Sequence, residues 1–166
     1  APAGLFRSED AGRTWEEIRS LTNHPTRKDW MPGAGGMCLH TIQVDPLDAN
    51  RITVAISAAG SFRSDNGGAS WKPINRGVKL YEGAPKNAET GTCVHKVLAH
   101  PAKPGRLFQQ NHVGVYRSDN YGDSWTAIDK GLPSDFGFGL ALDPHDPDVC
   151  FTVPLVTEEY MWRATM

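Results

Sequence analysis

Two short stretches carry side chains suited to chemistry, Cys38-Leu39-His40 and Cys93-Val94-His95. Thiol and imidazole at i and i+2 point to one side of an extended strand. Two thiols with two imidazoles also form a zinc-type ligand set. Three readings follow: the four residues hold a metal, the histidines line a channel and bond loops or a ligand, or each imidazole is satisfied within the fold. Cys-x-His has little specificity for metal, and any internal repeat would explain its recurrence. No metal or other cofactor is therefore expected, with Cys38, His40, Cys93 and His95 as the candidate ligands.

A further imidazole, His112, sits in "QQNHVG" beside Gln109 and Asn111. With Trp30 and Tyr81 these residues would make a polar pocket rimmed by aromatic rings. Such a pocket suits a sugar, which offers hydroxyls and an apolar face. The expected ligand-binding set is Trp30, His40, His95, Asn111 and His112. Asp29, Glu82, Glu89 and Asp135 supply carboxylates, and glycoside hydrolysis normally needs two of them about 5–10 Å apart. Asp29, Tyr81 and Glu82 are the candidates for a catalytic role.

The elements that must position these residues are written three times. "GLFRSEDAGRTW" at 4–15 recurs as "GSFRSDNGGASW" at 60–71 and "GVYRSDNYGDSW" at 114–125. A second element recurs as "HTIQVDPLDANRITVAIS" (40–57), "HKVLAHPAKPGRLFQQN" (95–111) and "GLALDPHDPDVCFTVPL" (139–155). Self-similarity at a fixed period is the signature of a repeat architecture. One repeat reads as four strands: "HTIQV", a Pro/Asp/Asn turn, "RITVAIS", "GSFRS", a Gly turn and "SWKPI". No segment has the caps and 3.6-residue period of a useful helix. Four antiparallel strands per repeat predict an all-β fold, a β-propeller with about three blades in this chain.

Ser-x-Asp-x-Gly-x-Thr-Trp resembles the Asp-box, or BNR repeat, of sialidases, sortilin-type receptors and glycosyl-hydrolase-like propellers. Ser8, Asp10, Gly12 and Trp15 match it fully. Ser64, Asn66, Gly68 and Trp71, like Ser118, Asn120, Gly122 and Trp125, carry Asn for Asp, and Ser70 and Ser124 replace Thr. The turn chemistry survives both changes. The resemblance implies a structural turn between third and fourth strands, away from the ligand face. Tyr81-Glu82 is similar to the sialidase pairing of a Tyr nucleophile with an acidic partner, although neighbours in an extended segment point to opposite sides. The Phe/Tyr-Arg-Ile-Pro arginine motif of sialidases is absent. Arg7, Arg63 and Arg117 occupy equivalent places, so a ring spreads them apart instead of converging them on one carboxylate.

The chain is expected to hold a half-blade at 4–18, blades at 40–75 and 95–128, and a half-blade at 139–155. The inserts 19–39 and 76–94 lie on the expected ligand face, where repeat proteins usually build binding sites. The halves imply either a homodimer that exchanges them or the missing remainder of a longer propeller. With 166 residues, 39% hydrophobic composition and a net charge of −2, the chain has no basic block for nucleic acid and no polybasic segment for a membrane. No apolar run approaches the roughly 20 residues needed to span a bilayer. Three cysteines without CxxC spacing argue against a disulfide scaffold and favour a reducing, cytoplasmic compartment. The functional expectation is a scaffold that binds a carbohydrate or peptide ligand. The alternative is a glycoside hydrolase-like enzyme with part of its active site outside this chain.

Overall fold

The computed structural model describes residues 3–32, 36–80 and 89–155. They form an all-β molecule of four antiparallel sheets. β1 (Phe6–Arg7) pairs with β2 (Glu16–Glu17), and a single helical turn, α1 (Arg19–Thr22), follows with a 3-10 turn at Pro25–Asp29. β3 (Leu39–Asp45), β4 (Asp48–Ile56), β5 (Gly60–Ser64) and β6 (Lys72–Pro73) form one meander. β7 (Val94–Ala99), β8 (Leu107–Asn111), β9 (Gly114–Ser118) and β10 (Thr126–Ala127) form the next. β11 (Gly137–Leu142) pairs with β12 (Cys150–Pro154). The first strands of successive sheets, β3, β7 and β11, lie side by side, so the sheets stack around a common inner edge as propeller blades do.

Alternation along the second strands builds the core. In β4, Val54 and Ile56 face the leading half-sheet, where they pack with Leu5, Leu21, Trp30, Phe62 and Trp71. Ala55 points the other way, into a cluster of Ile74, Val94, Val97, Leu107, Tyr116 and Trp125 between the two full sheets. A strand covered on both faces loses its polar side, which explains the unbroken apolar run "VAI". Each side chain so buried contributes about 1.5–3 kcal/mol.

The recurring turn satisfies its own backbone. Ser8 Oγ accepts from Gly12 N (2.7 Å), while Asp10 accepts from the backbone and hydroxyl of Thr14 (2.9 and 2.7 Å). Ser64 and Ser118 accept in the same way from Gly68 N and Gly122 N (2.8 and 2.9 Å). Asn66 and Asn120 each accept from the backbone of a Ser four residues on and donate to its hydroxyl, all at 2.9 Å. Asn therefore preserves the pattern and reverses one donor. Gly122 is in the left-handed region (φ +87), and a Cβ there would lie 2.5 Å from Ile74 Cδ1. Both demands exclude a side chain.

Neighbouring sheets are tied at these turns. Trp71 Nε1 donates to Ser20 Oγ (3.1 Å) and Trp125 Nε1 to the Ile74 carbonyl (2.6 Å), each reaching back across the preceding sheet. Arg63 donates to the Tyr121 carbonyl (2.6 Å), and the Arg51 guanidinium lies 4.0 Å over the Tyr121 ring. Arg7, Arg63 and Arg117 each pair with the carboxylate two residues on, Glu9, Asp65 and Asp119. The three arginines are spread over the turns, and Arg63 also reaches across to the third.

Candidate functional site

The inner strand ends share a construction that the turns do not. The residue before each first strand offers its carbonyl to the loop after the second strand: Ser57 N to Cys38 O (2.8 Å), His112 N to Cys93 O (3.0 Å) and Leu155 N to Phe136 O (2.9 Å). One step further in, every first strand is bulged. Pairing jumps from Leu39 to Thr41, from Val94 to Lys96 and from Gly137 to Gly139. His40, His95 and Phe138 are the residues left out of the ladders. A bulge re-aims the side chain it carries, and here three bulges turn their side chains toward one another.

His95 is the centre of the cluster and is buried. Its ring stacks on Phe138 (4.3 Å between centroids) and meets His40, His112 and Phe136 edge-on at 5.9, 5.6 and 5.7 Å. His95 Nδ1 lies 2.7 Å from the Gly137 carbonyl. A carbonyl can only accept, so Nδ1 carries the proton and Nε2 keeps its lone pair. That lone pair faces Cys93 Sγ at 3.4 Å, in position to accept from the thiol. Burial holds the His95 pKa below the usual imidazole range, even though the Gly137 bond pulls it upward. Burial also pushes the Cys93 thiol up. Both shifts favour a neutral thiol beside a neutral imidazole over the thiolate–imidazolium of a cysteine nucleophile. His40 Nε2 is hydrogen-bonded to Ser57 Oγ, and desolvation lowers its pKa as well.

Cys93, His95 and His112 can present one ligand atom each with all three within 4.8 Å of one another. Cys38 is half-buried and carries a free thiol. The first sheet thus delivers His40 to the cluster, and the second delivers Cys93, His95 and His112. Trp30 does not form a rim. It is buried against Phe62 (4.9 Å between centroids), with its indole N–H donated to Thr26 Oγ1, because the 3-10 turn folds it inward as core. Asn111 is also buried, its Oδ1 accepting from Val113 N (2.8 Å) to shape the turn that presents His112. Asp29 is exposed at the end of the 3-10 turn. Tyr81 and Glu82 lie outside the described residues.

Sequence reasoning missed Phe136 and Phe138. Phe136-Gly137-Phe138 stands where the other repeats have Cys38-Leu39-His40 and Cys93-Val94-His95. Extending the third copy of the repeat three residues toward the N-terminus, from Gly139 to Phe136, would have found it. Phe138 remains 53% exposed, so one face of the central aromatic stack is open to a ligand.

No protein-family model matches the chain, and no curated protein sequence matches it. Solved structures do resemble it. An ancestral GH74 enzyme is 22% identical with a TM-score of 0.54, over 75% of this chain and 14% of its own. The GH74 enzyme of Niastella koreensis is 20% identical with a TM-score of 0.50, over 84% of this chain and 20% of its own. The GH74 xyloglucanase of Xanthomonas campestris is 17% identical with a TM-score of 0.43, over 92% and 32%. The chain thus spans between about a seventh and a third of the structures it resembles. At this identity the likeness of the first two establishes the fold alone, a β-propeller.

Proposed function

We propose that the chain is a ligand-recognising part of an Asp-box propeller, and that a carbohydrate or peptide docks where the bulged strand ends converge. The exposed Phe138 ring, stacked on the neutral His95, carries this reading. A sugar face packs on such a ring while the exposed His40 imidazole lies beside it to meet a hydroxyl. The resemblance to GH74 propellers favours a polysaccharide segment over a peptide. Isothermal titration against an oligosaccharide panel is expected to find a binder whose affinity falls more than about tenfold in Phe138→Ala. Equal affinity in that variant would remove the cluster from recognition.

The enzymes among the resembling structures favour a second reading, glycoside hydrolysis with part of the site supplied from elsewhere. Turnover of chromogenic glycosides that is lost in Asp29→Asn or Glu82→Gln would establish it. Within either reading, further blades cover the apolar lateral faces, where Trp15, Ile42, Val44, Phe151 and Val153 are exposed. Light scattering decides their source: a dimer assigns them to a second copy, and a monomer excludes it.

A further inference from the structure

We infer that Cys93 Sγ, His95 Nε2 and a ring nitrogen of His112 form a three-ligand site for a borderline-soft transition-metal cation of the zinc type, open at its fourth position toward Phe138. The spacing is the first argument. Ligands at about 2.3 Å (thiolate) and 2.0–2.1 Å (imidazole) around a tetrahedral ion lie roughly 3.3–3.7 Å apart. Cys93 Sγ and His95 Nε2 are already at 3.4 Å. His112 needs only a small side-chain adjustment from within 4.8 Å.

The second argument is orientation. A metal-bound histidine normally donates its other N–H to a carbonyl or carboxylate, which fixes tautomer and ring plane. The Gly137 carbonyl holds His95 in this state before any ion arrives, with the lone pair on the nitrogen that faces Cys93. The third is support. Cys93 precedes a strand, His95 occupies its bulge, and His112 is tied by its own N–H to the Cys93 carbonyl, so one short network fixes all three. Phe136 and Phe138 wall the site and replace the Cys and His of the other repeats, and among the described residues this is the one such ligand cluster.

Binding is a balanced exchange. The ion gives up waters, the Cys93 S–H bond breaks, its electron pair forms the metal–sulfur bond, and one proton passes to solvent. No redox step is involved. A soft thiolate with two imidazoles selects zinc-type ions over magnesium or calcium, which prefer oxygen.

Co2+ titration of chelator-treated protein tests the assignment. One equivalent is expected to give a thiolate-to-cobalt charge-transfer band, visible d–d bands of tetrahedral intensity and release of one proton. Cys93→Ser should abolish the charge-transfer band. His112→Ala should weaken binding by more than the roughly 10–100-fold that loss of an outer partner costs. Cys38→Ser and Cys150→Ser should keep the band, which controls for the other thiols. Unchanged far-ultraviolet circular dichroism in each variant separates loss of the site from loss of the fold. No charge-transfer band in the parent protein, or a band that survives Cys93→Ser and disappears in Cys38→Ser, overturns the proposal.

Discussion

The first copy of the recurring turn and the third differ in the direction of a single hydrogen bond, yet their tryptophans have opposite fates. Trp125 is 5% exposed and bonded to the preceding sheet, whereas Trp15 is 65% exposed. Their Ser, Asp or Asn, and Gly residues hold the turn backbone at nearly identical distances. The turn is thus autonomous, and the tryptophan is not part of what makes it turn. The indole is a plug for a neighbouring blade. Ile74 lies beneath Gly122 and offers its carbonyl to Trp125, and Ile18 lies beneath Gly68 beside Trp71.

The comparison can be broken in several ways. The largest effect expected is from Trp125→Ala, a loss of about 3–5 kcal/mol in denaturant unfolding, since a large buried side chain and its hydrogen bond disappear together. Gly122→Ala should cost about 1–3 kcal/mol, because its methyl must displace Ile74 as well as accept a left-handed backbone. Gly12→Ala shares the backbone demand (φ +84), but meets only Trp15 Cζ2 at 3.7 Å and should cost visibly less. Equal losses at the two glycines would mean that backbone conformation alone sets the requirement.

Acid should separate the turns more gently. Hydrogen bonds from the hydroxyl and backbone of Thr14 hold the Asp10 pKa down, from 3.8 to about 2. A depressed carboxylate stabilises the folded turn fully above its unfolded pKa and loses that contribution as pH falls through the folded value. Protection of the Thr14 amide, which donates to Asp10, should therefore fall between about pH 4 and pH 2, while that of Ser70 and Ser124, which donate to Asn66 and Asn120, stays unchanged. Asp10→Asn should remove the difference. The smallest effect belongs to Trp15→Ala, within about 0.5 kcal/mol in the isolated chain. A loss comparable to that of Trp125→Ala would show that Trp15 is covered in solution.

The sheets were legible because alternation and turn chemistry are local. "RITVAIS" spans much of β4, and "GSFRS" is β5. The inner cluster was only half legible. His40, His95 and His112 stand out as residue types, but a bulge leaves no mark in an alternating pattern, since it is decided by hydrogen bonds from a distant loop. Trp30 misled for the opposite reason. An aromatic ring in a long insert looks like a binding rim until the 3-10 turn and the Thr26 hydroxyl are seen to fold it into the core. Phe136 and Phe138 went unnoticed because the third repeat preserves their position and not their chemistry.

Tyr121 adopts a left-handed conformation (φ 57) where the second turn uses Gly67. Its ring and carbonyl are gripped by Arg51 and Arg63 of the adjacent sheet. A rotation of one blade against the next would have to drag this backbone with it. The turn thereby acts as a hinge stop at the end of the sheets opposite the histidines. Because the inner cluster draws on both sheets, the Tyr121 contacts and the His40–His95 contact join the same two blades at opposite ends.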